Sequence, residues 1–254
     1  KEDKMAAQND HSELQMFRLW GNVSDLVIRG RRSSEEVSKV LQLVKDDPSF
    51  AAKLLPALRL RGRKKFSRDK ELGRELASWR AFYAKHGILC DMKNLIVPKA
   101  REGFTRLLVI PQGLTPTRVY KELEKLMTCY HFGNLDDATS DRDSTRTYAI
   151  WIRDRVEADE ELASKSAEDL KREGILGVTL LEQLINVLKY FDETGGHLDQ
   201  KNVTLSSGSR FSEGGDVPCV HWNGDELYVD WSDPEGADSD LRSRQVISAI
   251  RSPV

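Results

Sequence analysis

Cysteine and long apolar runs are what this sequence has least of. Its 254 residues hold three cysteines, Cys90, Cys129 and Cys219, far apart, odd in number and without a Cys-x-x-Cys or Cys/His spacing. That excludes a disulfide framework and a structural zinc site, and leaves free thiols in a reducing compartment as the expectation. No run reaches the roughly 18 apolar residues of a membrane helix, so no membrane partner is expected. Lys1 to Asp10 is polar, with no apolar signal-peptide core, which points to a cytoplasmic protein. Glycine and proline, 17 and 8 residues, follow no collagen-like period. Neither charge sign dominates: 39 Lys and Arg stand against 41 Asp and Glu. Charged residues at 31% and hydrophobic residues at 39% fit amphipathic helices around a core, and the length suits one or two domains.

The pattern along the chain predicts an α+β protein in four parts: a polar tail over 1–22, a small helical unit over 23–57, a basic connector over 58–70 and a mixed α+β domain over 71–254. In the helical unit, Ser33 and Glu36 have capping-box spacing, and Val37, Val40, Leu41 and Val44 form an i, i+3, i+4, i+7 stripe. Leu72, Leu76, Trp79, Phe82 and Tyr83 recur at helical spacing up to Gly87. Leu107 to Ile110 predicts a buried strand ending at Pro111. Thr115-Pro116 opens a helix carrying Val119, Leu123, Leu126 and Met127. Cys129 to Phe132 reads as a short strand, Asp136 to Thr145 as a polar loop, and Tyr148 to Val156 as the clearest strand. Asp159 to Lys171 reads as helical, and Thr179 caps a longer helix ending near Gly195. Three short strands follow over Val203–Leu205, Val217–Trp222 and Leu227–Trp231. Asn223-Gly224 between the last two predicts a type I′ hairpin.

One block, Tyr148-Ala149-Ile150-Trp151-Ile152-Arg153-Asp154-Arg155-Val156 and on to Leu162, resembles a segment of a group of proteins of unknown function from small-genome candidate-phylum bacteria. The resemblance continues through Gly177–Glu182, Leu188–Gly195, Ser207–Arg210, Val217–Trp222 and Leu241–Arg244, and Val23–Gly30 with Glu35-Glu36-Val37 is similar to a helical segment of the same group. It covers most of the chain and implies no activity, cofactor or catalytic residue.

Several residue groups carry possible chemistry. Arg59, Arg61, Arg63, Lys64, Lys65, Arg68 and Lys70 stand against the single acid Asp69, a local charge of +6, which is the composition that neutralises phosphates. Only Phe66 among them is aromatic, so base stacking is not indicated. The remainder of the chain is acidic, and the run Asp225, Glu226, Asp230, Asp233, Glu235, Asp238 and Asp240 has no Lys or Arg among it, so the basic arm has an acidic docking site within its own sequence as an alternative to nucleic acid. That acidic run lacks the residue order of a Ca²⁺ loop. Asp154 and Glu157, after a strand, are candidate metal ligands, with a solvated helix start as the plainer reading. Ser207, Ser209 and Arg210 form a candidate anion cradle, with Arg242 and Arg244 as further cations, although neither the P-loop nor the hydrolase-elbow spacing is present. Cys129 and His131 share a strand face but lack a third orienting group, and His221 beside Trp222 reads as a half-buried structural residue.

The favoured function is therefore a non-enzymatic cytoplasmic binding or regulatory protein. Its basic arm contacts nucleic acid or an acidic protein partner, and no cofactor is required. The alternative is a metal-dependent hydrolase of a phosphate-containing substrate, with Mg²⁺ on Asp154 and Glu157 and Arg210 stabilising the transition-state charge. The third is a protein–protein interaction module in which the helix Thr179 to Thr194 docks a partner helix.

Overall fold

The computed structural model describes residues 68–211 and 215–249, together with 33, 35, 38, 39 and 42. The chain divides into two compact units, Lys1–Arg68 and Asp69–Val254. In the first, Glu35, Ser38, Lys39 and Gln42 are helical and exposed, the polar stripe of the helix that follows Ser33, and Glu35 pairs with Lys39 at 2.9 Å. The expected apolar stripe at Val37, Val40, Leu41 and Val44 lies outside the described residues.

The second unit is α+β. Its first sheet has the order β1 (Phe104–Ile110), β4 (Tyr148–Arg153), β10 (Ile247–Ser248), all antiparallel. Its second runs β2 (Thr128–His131), β8 (Glu226–Ser232), β7 (Val217–Asn223), β5 (Val203–Leu205), β9 (Leu241–Ser243). The outer pairs β2–β8 and β5–β9 are parallel and the inner ones antiparallel. A third, two-stranded ladder joins β3 (Thr139–Ser140) to β6 (Ser209–Arg210).

Central strand β4 is apolar on both faces because both are covered: Tyr148, Ala149, Ile150 and Ile152 are all buried. Helix α1 (Arg68–Lys85) closes the free edge of β1. The Leu107 and Val109 carbonyls, two residues apart and so on one side of the strand, accept from Trp79 Nε1 at 3.2 Å and from the Tyr83 hydroxyl. Helix α2 (Pro116–Leu123) starts as its sequence dictates, with Thr115 accepting from the Arg118 amide and proline in the first turn. It stops at Leu123, one turn short of the expected stripe, and leaves Leu126 39% exposed. The stretch Asp159 to Lys171 is two pieces instead of one helix. A 3₁₀ turn at Glu160–Leu162 ends at Ser164, whose φ is +56°, and α3 (Ala167–Arg172) restarts behind a Ser166–Asp169 capping box.

Helix α4 (Leu180–Thr194) is the hub. Thr179 and Glu182 form its capping box, and Gly195 at φ +69° closes its C-terminus, a left-handed position suited to glycine. Every residue from Leu180 to Lys189 is buried. Over that stretch the helix is already covered, by α2 and by strands β1 and β7.

The β7–β8 hairpin forms where expected, with a different turn. Asn223 pairs with Glu226, so the two-residue loop is Gly224-Asp225. Gly224 alone takes a positive φ, +66°, which fits a type II′ turn with glycine at its first central position, not type I′.

Candidate functional site

The chemistry-bearing residues named from the sequence are held by separate parts of the fold. The basic run Arg59, Arg61, Arg63, Lys64 and Lys65 lies outside the described residues, and Arg68 is the first residue of α1. Asp154 follows the last residue of β4 and is largely exposed, 3.6 Å from Arg106. It lines a cleft of about 210 Å³ with Glu75, Trp79, Arg106, Lys189 and Glu193. Glu193 accepts from Arg106 Nη1 at 2.9 Å and pairs with Lys189 at 2.8 Å, so the two cations of the cleft are engaged. Glu157 faces elsewhere: its Oε2 accepts from the Lys201 and Asn202 amides and from Asn202 Nδ2, fastening the segment before β5. No group of three or more His, Cys, Asp or Glu side chains able to hold a metal ion occurs among the described residues.

In the Ser-Ser-Gly-Ser-Arg turn, the candidate anion cradle, the Ser207 and Ser209 hydroxyls and the Ser207, Gly208 and Ser209 amides are engaged within the fold. Ser207 Oγ and Ser243 Oγ are 2.7 Å apart. Ser209 Oγ accepts from the Leu180 amide and meets Ser140 Oγ at 2.7 Å. The Ser207, Gly208 and Ser209 amides donate to the Leu205, Val178 and Ser206 carbonyls, so no N–H is left to cradle an anion. Arg210 holds the Ser207 and Ser209 carbonyls and pairs with Glu168 at 3.2 Å. Arg244 is buried against Asp199 at 2.6 Å and against the Arg155 and Val156 carbonyls. No hydrogen bond or ion pair joins Asp154, Glu157 and Arg210 among the described residues, and each has partners of its own.

Cys129 and His131 do not form a nucleophile and base. The thiol donates to the Met127 carbonyl at 3.4 Å, and His131 Nδ1 lies 2.9 Å from the Gly133 carbonyl oxygen. Burial, with Glu124 and Glu226 nearby, pushes the Cys129 thiol up to about 12, the opposite of activation. β8 takes up the first part of the acidic run, Glu226–Ser232, and Asp233, Glu235, Asp238 and Asp240 follow it outside any strand.

That same strand builds the arrangement the sequence reading missed. The five-stranded sheet has one face in the core, carrying Cys129, Leu227, Val229 and Val220. Its other face is covered at the β5–β9 end by a small cluster around Ala167, Leu205 and Cys219. At the β2–β8–β7 end it presents Tyr130, Tyr228 and His221. The ladder places these three directly opposite one another: Tyr130 pairs with Tyr228, and Tyr228 with His221. Ring centroids are 5.3 Å apart in the first pair, tilted by 44°, and 5.5 Å apart in the second, nearly parallel at 19°. Tyr130 is 48% exposed and Tyr228 and His221 half-buried. Just past the end of β2, Phe132, 51% exposed, packs on Trp231 at 3.8 Å.

Along β8 the pattern is Glu226, Tyr228, Asp230, every second residue and therefore one face. The Glu226 carboxylate beside it pushes the Tyr228 phenol above its usual range. His221 is lowered by burial, opposed by the negative charges of Asp230 and Asp240. An aromatic row thus crosses an acidic column at Tyr228. No Lys or Arg occurs between Arg210 and Arg242, so this segment brings no cation of its own to the face.

No family model, no curated protein and no solved structure matches the chain.

Proposed function

We propose that the chain is a binding protein whose outer sheet face, at strands β2, β8 and β7, docks a positively charged segment of a protein partner. The observation that carries this reading is the crossing at Tyr228 of the Tyr130–Tyr228–His221 row with the Glu226–Tyr228–Asp230 column. Exposed aromatic side chains in a contiguous patch are what interfaces use for contact area. Carboxylates among them set the sign of the partner and raise its encounter rate. The face repels nucleic acid for the same reason, so the reading favours a protein. It rests on the described sheet and makes no use of the basic run, whose expected nucleic-acid contact is a separate property of residues 59–68.

The test is titration of the full chain with a fluorescent Lys- and Arg-rich peptide across a salt series. Binding that weakens with salt, and weakens further in an Asp230→Asn, Glu226→Gln variant, supports the reading. Absence of binding at low salt, or binding that the double variant leaves unchanged, overturns it.

A further inference from the structure

The crossing at Tyr228 has a geometry more specific than a general acidic surface, and resting on the docking reading above, we infer that the anchor of the bound segment is an arginine, its guanidinium lying on the Tyr130–Tyr228 pair with Glu226 as its carboxylate. Three features point to this side chain.

The first is the shape of the aromatic pair. Tyr130 and Tyr228 are tilted by 44° with centroids 5.3 Å apart, so the rings diverge as a wedge. On the other flank His221 lies nearly parallel to Tyr228 at 5.5 Å and closes that side. Because β2 is the edge strand of its sheet, the Tyr130 side of the wedge has no neighbouring strand. A planar cation fits such a surface: guanidinium stacks on aromatic faces, whereas an ammonium is a compact, strongly hydrated charge that stacks poorly.

The second is the position of the acids. Residues two apart on a strand stand about 7 Å from one another, so Glu226 and Asp230 flank Tyr228 at either end of its ring. A guanidinium on the ring keeps its in-plane N–H groups directed outward, toward carboxylates at that distance, in the forked geometry that lysine cannot offer. Glu226 is the one whose carboxylate acts on the Tyr228 phenol, raising it. Asp230 has one oxygen on the Trp231 amide at 2.8 Å, which orients it and leaves the other oxygen open.

The third is that, among the described residues, no cation lies on these two rings. Other arginines of this unit lie on aromatic rings within the fold, Arg106 toward Tyr190 at 5.8 Å and Arg153 over Phe104 at 4.3 Å. No cation–π contact to Tyr130 or Tyr228 occurs among the described residues, although both rings are accessible.

The experiment uses the full chain and two peptides matched in length and charge, one with arginine and one with lysine as its only cations. The arginine peptide is expected to bind about fivefold more tightly or better, and the ratio to fall toward one in Tyr130→Leu and in Tyr228→Leu. Tyr130 is the more exposed of the two, on an edge strand, so its variant keeps the test valid if Tyr228→Leu fails to fold, which far-UV circular dichroism checks. Equal affinity for the two peptides overturns the arginine anchor and leaves the docking reading in place. An arginine preference that persists in both tyrosine variants also overturns it, by moving the anchor elsewhere. Failure of both peptides to bind overturns anchor and docking reading together.

Discussion

Arg142 and Glu182 meet with no solvent exposure on either side chain, the guanidinium reaching both carboxylate oxygens, Nε at 2.8 Å and Nη2 at 2.7 Å. Glu182 also accepts from the Tyr148 hydroxyl at 2.9 Å and from the Thr179 amide at 2.8 Å. Four donors on one buried carboxylate join the loop after β3, central strand β4 and the N-terminus of α4. Removing one partner leaves the other as an uncompensated buried charge. Arg142→Ala is therefore expected to cost about 3–5 kcal/mol in urea unfolding. A loss below about 1 kcal/mol would contradict the role assigned to the pair.

Gly177 is fixed by a close approach. A Cβ there would lie 1.8 Å from Ser207 Oγ and 2.6 Å from Ser243 Oγ. Gly177→Ala is expected to destabilise by about 1–3 kcal/mol. The clash is with side chains, so adding Ser207→Gly should recover part of that loss. The two changes then combine less than additively in a double-mutant cycle, and full additivity would place the strain elsewhere.

Acid stability follows from Glu122, buried on α2 beside His86. Burial raises its carboxyl, but hydrogen bonds from Lys125, Arg118 and His86 outweigh this and hold it at about 2. A folded-state value below the unfolded one gives stability that is present above about pH 4.5 and lost as pH falls toward 2. Glu122→Gln is expected to flatten that limb of the stability curve by on the order of 2 kcal/mol. An unchanged slope between pH 5 and 2, taken as rough bounds of the window, would assign acid unfolding to other groups.

The three thiols are expected to react slowly in the native chain. Burial pushes Cys90 up to about 11 and Cys129 and Cys219 up to about 12, with Asp91 adding to the first, Glu124 and Glu226 to the second, and Asp230 and Asp240 to the third. The thiolate is the reactive form, so iodoacetamide at about pH 8 should label them far more slowly than in denaturant. Rapid native labelling of Cys129 would contradict its placement beneath the sheet.

Local signals in the sequence carried the elements; what they could not carry was pairing. Thr179 with Glu182, and Gly195 beyond them, specify both ends of α4, and the unbroken apolar run of β4 follows from burial on two faces. Arg142 was hidden because its loop is polar throughout and its partner lies 40 positions on. The same holds for the binding face. Glu226, Tyr228 and Asp230 alternate visibly, but Tyr130 joins them only through a parallel β2–β8 pair that spans almost a hundred residues of chain. Charge read along the sequence marked 225–240 as an acidic run, and only the ladder shows that two of its acids bracket an aromatic row.

The most direct measurement is backbone amide chemical-shift mapping of the full chain titrated with the arginine peptide at low salt. The account predicts perturbations concentrated at Thr128–Phe132 on β2 and its continuation and at His221–Trp231 across β7 and β8, saturating together. Perturbations confined to other surfaces, or none while the chain remains folded, would contradict it.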